Sequence, residues 1–167
     1  MQIVIVAAIG ANNVIGYRGQ LPWQLKSDLA HFRALTIGKP VLMGRNTFES
    51  IGKPLEERTN IVLSHHFTMR VPGGVLATSL DAGLAIARRD AAKRGVKEIM
   101  VIGGSEVFAD TMPIADRLEI THVHASPKGD TFFPPINPSV WHETAHVEHQ
   151  AGPGDSASFA VVTYLRR

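Results

Sequence analysis

The amino-acid sequence predicts a single α/β domain: a mostly parallel central sheet with an antiparallel C-terminal edge, flanked by helices. Three observations carry that prediction. Apolar runs of strand length at Ile3 to Ile9, Pro40 to Met43, Asn60 to Ser64, Gly74 to Ala77 and Glu98 to Ile102 are separated, for the most part, by helical patterns. After Ile102 the rhythm changes, and a short helix over Ser105 to Met112 precedes three strand-like segments, Arg117 to Ala125, Val140 to His149 and Ala157 to Arg167. The 167 residues, 44 % of them hydrophobic, match one core, so residues 1–167 are read as one domain.

Taken in order, Ile3 to Ile9 follows no basic segment and is far shorter than a membrane span, so it reads as a buried first strand of a soluble, cytoplasmic protein. Gly10 to Trp23 is a long, glycine-punctuated connection of the kind that forms lids. Asp28 then heads a helical run in which Leu29, Phe32 and Leu35 recur on one face. A carboxylate at such a face is costly unless it accepts hydrogen bonds, which suits it to a ligand; a solvated first-turn acid favoured by the helix dipole is the other reading. Two strand-to-helix junctions, Val41 to Phe48 around Gly44 and Ile99 to Glu106 around Gly103-Gly104, deliver small residues to helix starts whose free N–H groups favour an anion. Neither matches the usual dinucleotide or P-loop fingerprint, and tight packing explains most such glycines taken singly. Asp81 to Gly95 reads as a long helix, while Pro127 to Pro138 and Gly152 to Ser156 read as connecting loops.

Composition removes several function classes. Lys+Arg 17 against Asp+Glu 15 gives a net charge of only +2, with the basic residues scattered, which argues against nucleic acid as a partner. The absence of cysteine excludes disulfides, thiolate catalysis and Cys-ligated metal. His142-Glu143-Thr144-Ala145-His146 matches H-E-x-x-H, but zinc chemistry needs that motif on a helix with a third ligand. Trp141, Ala145 and Val147 read instead as one face of a strand, and no metal is expected.

The chain resembles the bacterial dihydrofolate reductase family. The resemblance rests on Ala7-Ala8, Val14-Ile15-Gly16, Leu21-Pro22-Trp23, Asp28 and Phe32, then on the run Lys39 to Gly52 with Pro54-Leu55 and Arg58 to Ser64. Val101 to Gly104, Thr121-His122, Gly129-Asp130-Thr131 and Phe133-Pro134 extend it through nearly the whole chain. It implies reduction of 7,8-dihydrofolate to 5,6,7,8-tetrahydrofolate by hydride transfer from NADPH, in one-carbon metabolism, by a cytoplasmic monomer that antifolates inhibit. A related-fold pyrimidine reductase of riboflavin synthesis is the alternative, but it has no evident use for Asp28 together with a folate slot.

The resemblance also implies residue roles. Asp28 would accept the paired N–H donors of the pteridine edge, supported by the Thr121 hydroxyl, while water near Leu21 and Trp23 delivers the proton. Val6, Ala7, Leu29, Phe32, Ile51, Leu55 and Ile102 would wall the substrate, and Arg58 would clamp its α-carboxylate. Arg45, Ser64 and His65 would hold the phosphate that distinguishes NADPH from NADH. Gly44, Asn46, Thr47, Gly103, Gly104, Ser105 and Glu106 would receive the pyrophosphate, with a cis peptide between the paired glycines. Ala8, Ile15, Gly16, Leu63, Val107 and Phe108 would complete the cofactor pocket, and Asp130 would latch the Gly10 to Trp23 loop by accepting N–H bonds from Gly16 to Arg18. Leu21 stands where methionine is common and Phe108 where tyrosine is, and Glu106 puts an acid beside the phosphate groove.

Overall fold

A computed structural model describes residues Met1–Arg167. The strands β1 (Gln2–Gly10), β3 (Pro40–Gly44), β4 (Thr59–Leu63), β5 (Val75–Ala77), β6 (Glu98–Gly103), β7 (Arg117–Val123), β9 (Trp141–His149) and β10 (Phe159–Arg166) form one eight-stranded sheet in the order β5-β4-β3-β6-β1-β7-β10-β9. Residues of β1 alternate between the two faces. Ile3, Ile5 and Ile9 join Leu42, Ile61, Ile99 and Val101 in the larger core layer, while Val4 and Val6 join Val41, Met43, Val62 and Met100 on the other side. Continuous apolar runs are therefore what a sheet buried on both faces requires. The helices α1 (Lys26–Thr36), α2 (Arg45–Ile51), α3 (Leu80–Arg94) and α4 (Ser105–Thr111) complete the fold.

The structure refines the expected topology in three places. Strand β10 is antiparallel to both neighbours, so β9 at the edge runs in the same direction as β7 and the rest; the reversal is confined to one strand inside the sheet. A second ladder, between β2 (Val14–Gly16) and β8 (Thr131–Phe132), was not expected, because strands of two or three residues carry no periodicity. In β9 the register slips opposite Thr163 and Tyr164, so Trp141 shares a face with Glu143 and His146 whereas Ala145 and Val147 lie opposite. The expected common face of Trp141, Ala145 and Val147 is thus corrected by a bulge. His142 and His146 are divided between the two faces of a strand.

Candidate active site

The carboxyl ends of β1, β3, β4 and β6 open into one cleft of about 1300 Å³. A single small-molecule site is roughly 300–1,000 Å³, so this volume suits two ligands meeting in one groove. Every residue that the sequence assigns to substrate, cofactor or latch lines it except Trp23. Trp23 is 9 % exposed and is packed with Leu25, Val123 and Phe159 in a separate core cluster. A large apolar ring gains more from that burial than from a wet cleft. Leu21, 56 % exposed, does line the mouth.

Asp28 lies in the first turn of α1 and accepts a hydrogen bond of 2.6 Å from the hydroxyl of Thr121, a buried residue of β7. Burial pushes the Asp28 carboxyl above its ordinary value, opposed by the Thr121 bond and by His31 and His149 and assisted by Asp155. Below it, Val6 and Ala7 come from β1, and Ile102 is left out of register where β6 slips past β3 between Leu42 and Met43. That bulge turns Ile102 into the cleft.

The slot beyond Asp28 is built by Leu29 and Phe32 of α1, Ile51 of α2 and a loop carrying Leu55 and Arg58. Asn60 holds this loop from the core: its side-chain oxygen accepts Leu55 N–H at 2.9 Å, and its amide donates to the carbonyls of Leu55 at 2.9 Å and Arg58 at 3.1 Å. With all its polar valences met, a 1 % exposed Asn is cheap to bury. The Arg58 guanidinium donates to the Glu56 carbonyl at 2.9 Å and to the buried Thr36 hydroxyl at 3.0 Å, which itself donates to the Phe32 carbonyl. Burial, then the neighbouring Arg33, lowers its proton affinity. Arg33 is occupied by Glu57 at 3.0 Å.

The other half of the cleft is made of backbone. Gly44 and Gly104 stand at the starts of α2 and α4, neither with a side-chain cap, and the Gly103-Gly104 peptide is cis. The approach is close: a Cβ on Gly44 would lie 3.3 Å from Val107, one on Gly104 3.4 Å from the Thr47 hydroxyl, and one on Gly103 3.2 Å from the Phe108 ring. Such a glycine cradle with uncapped N–H groups fits a pyrophosphate. Phe108 is itself buried against Phe133, ring centroids 5.0 Å apart. At the far end Arg45 is exposed and pairs with Glu49 at 2.9 Å, and the Ser64 hydroxyl oxygen accepts His66 N–H at 3.1 Å, leaving its proton free to donate. Glu106 is exposed on the wall without an ion pair.

The sequence reading missed some of the lining. His31 lies three residues from Asp28 and Glu49 four from Arg45, so helical spacing alone would have found them. Thr78, Ser79 and Leu80 enter through the start of α3, which only the placement of β5 brings to the cleft. Over the mouth, Arg18 N–H donates to Asp130 at 3.0 Å and Asp130 N–H to the Gly16 carbonyl at 3.0 Å, joining the lid segment to the turn before β8. The Arg18 N–H, then the Thr131 hydroxyl, hold the Asp130 carboxyl below its ordinary value.

Comparison with known proteins agrees with this geometry. Residues 2–166 match the family model described as dihydrofolate reductase. The chain is 42 % identical over 167 residues to dihydrofolate reductase type 3 of Salmonella typhimurium, covering 100 % of this chain and 99 % of that one. It is 45 % identical over 141 residues to dihydrofolate reductase of Haemophilus influenzae, 84 % of each. Among solved structures it resembles a dihydrofolate reductase from Enterococcus faecalis complexed with NADP(H) and RAB-propyl, at a TM-score of 0.86 and 34 % identity, over 99 % of this chain and 96 % of that one. No helix is long and apolar enough to cross a membrane.

Proposed function

The chain belongs to the dihydrofolate reductase family, and we propose that this enzyme reduces 7,8-dihydrofolate to tetrahydrofolate with NADPH as reductant. The observation that carries the proposal is the Asp28–Thr121 pair set between the folate-shaped slot and the glycine cradle of a single cleft. Ionised Asp28 accepts two N–H bonds from the amino-pyrimidinone edge, and Thr121 holds one of its oxygens so that the carboxylate plane is fixed before the ring arrives. Those donors replace the water that burial has removed, so the bound ring favours the ionised form that burial alone disfavours. Leu29, Phe32, Ile51 and Leu55 take the benzoyl ring, and Arg58 meets the α-carboxylate with a guanidinium already oriented by Thr36.

NADPH, when bound, supplies the hydride that reaches C6. Gly44, Gly103 and Gly104 admit its pyrophosphate backbone, while Arg45, Ser64 and His65 recognise the ribose phosphate. The proton for N5 comes from solvent admitted beside Leu21, since Asp28 grips the opposite side of the ring system and Trp23 is buried. The same reading makes the enzyme a cytoplasmic monomer open to antifolates that carry a diaminopyrimidine. Mixing the purified protein with NADPH and dihydrofolate should abolish the reduced-nicotinamide absorbance and yield tetrahydrofolate on chromatography. Absorbance loss that is independent of dihydrofolate, or none at all, would overturn the proposal.

A further inference from the structure

We propose that Asp155, in the turn between β9 and β10, is a positioning residue for Asp28, seating the first turn of α1 and so the carboxylate that the proposed function assigns to dihydrofolate. The inference rests on that assignment. Helix α1 begins after Leu25, whose side chain cannot accept a hydrogen bond, so its first N–H groups lack a local cap. Asp155 supplies one from 128 residues away. Its Oδ1 accepts Ser27 N–H at 3.0 Å, and its Oδ2 accepts the Ser27 hydroxyl at 2.7 Å and Gly152 N–H at 2.9 Å. The backbones are joined as well: Leu25 bridges Asp155, Ser156 N–H donates to the Gln24 carbonyl at 2.7 Å, and Gln24 N–H donates to the Ser156 hydroxyl oxygen at 3.1 Å.

Ser27 immediately precedes Asp28. The turn that holds Ser27 runs into β10, which pairs with β7, and Val161 of β10 stands opposite Thr121. Asp28 is therefore referenced twice to the same pair of strands, through its own oxygen by Thr121 and through its helix by Asp155. The charge matters in addition to the geometry. The groups that act on Asp28 are His31 on its own helix, Thr121 from β7, His149 from β9 and Asp155 from the turn; only Asp155 works with burial to raise its proton affinity. Asp155 is itself held below its ordinary value by Ser27 N–H, the Ser27 hydroxyl and Gly152 N–H, so it is charged at neutral pH.

The test follows the Asp28 carboxyl directly, by NMR titration of the ¹³C-labelled, ligand-free full chain, beside steady-state kinetics. Asp155→Asn keeps an acceptor for Ser27 N–H but loses the charge. It should lower the Asp28 midpoint and raise KM for dihydrofolate on the order of threefold to tenfold, leaving NADPH affinity unchanged. Asp155→Glu keeps the charge and should return the midpoint toward wild type. Asp28→Asn in parallel separates the two ideas. If it raises KM while Asp155→Asn moves neither midpoint nor KM, the positioning role is overturned and the function stands. If Asp28→Asn leaves KM unchanged while Asp155→Asn still moves the midpoint, the coupling of Asp155 to Asp28 stands and the substrate assignment falls. A drop in melting temperature with no change in the titration would reduce Asp155 to a helix cap and overturn the proposal.

Discussion

On the side of the cleft proposed for folate the charged groups are tied down by other side chains, Asp28 by Thr121 and Arg58 by Thr36, and both are partly withdrawn from water. On the side proposed for the cofactor the surface is glycine backbone at two helix starts, and its charged residue, Arg45, is exposed and held only by Glu49 one helical turn away. The difference follows from what each side would read. A planar ring edge must be met by fixed side-chain atoms in a dry setting, and holding a carboxylate there costs stability. Phosphates are met by backbone N–H groups that exist in any helix start, so the side chains nearby tune selectivity more than they create binding.

The largest expected effect lies on the folate side. Asp28→Asn should slow turnover of dihydrofolate at neutral pH by about a hundredfold or more, with partial recovery in acid where the substrate is pre-protonated. Competitive binding of diaminopyrimidine antifolates should weaken with it, because their protonated ring loses a charge-assisted partner. The same variant should melt higher than wild type without ligand. Burial raises the folded-state pKa of Asp28, so the stability carried by the protonated carboxyl is present below the unfolded value and is lost as pH rises through the folded one. An asparagine escapes that loss. A lower melting temperature at neutral pH would remove the contrast between the two halves.

An intermediate effect belongs to Arg45. Arg45→Leu should weaken NADPH by about 1.5–3 kcal/mol, toward the lower figure because the guanidinium is exposed, and leave NADH nearly unaffected. Equal losses for both cofactors, measured by fluorescence titration, would mean that Arg45 reads no phosphate. The smallest effect is expected at the lid. Asp130→Ala removes the acceptor of Arg18 N–H and should slow hydride transfer severalfold with little change in melting temperature. The Asp130 carboxyl sits below its ordinary value, so this contact is complete above the unfolded pKa and fails only as pH falls through the depressed folded one. Single-turnover kinetics with NADPH and its C4-deuterated form measure the step, and a wild-type hydride rate would detach the latch from catalysis.

Much of this is legible in the sequence. The apolar runs located the strands because a strand buried on both faces needs no alternation to be recognised, and the junctions at Gly44 and Gly103-Gly104 declared themselves by composition. Asp28, Arg45 and Arg58 stood out because short motifs keep their spacing within one loop or one helix turn, where chain geometry alone decides what is near. Even Asn60, whose contacts with Leu55 and Arg58 span five residues at most, belonged to a recognisable run.

Fold class, the single domain and the main side chains of the cleft are therefore readable from the chain alone, because periodicity and local spacing are properties of a chain segment. Tertiary structure alone decided that Trp23 turns into the core, that one unpaired residue in β9 reverses which side chains share a face, and that Asp155 meets Ser27. Those outcomes depend on strand order and on register between separate segments, neighbouring in the chain for β9 and β10 and 128 residues apart for Ser27 and Asp155, where a shift of one position changes every contact, and no local pattern encodes them.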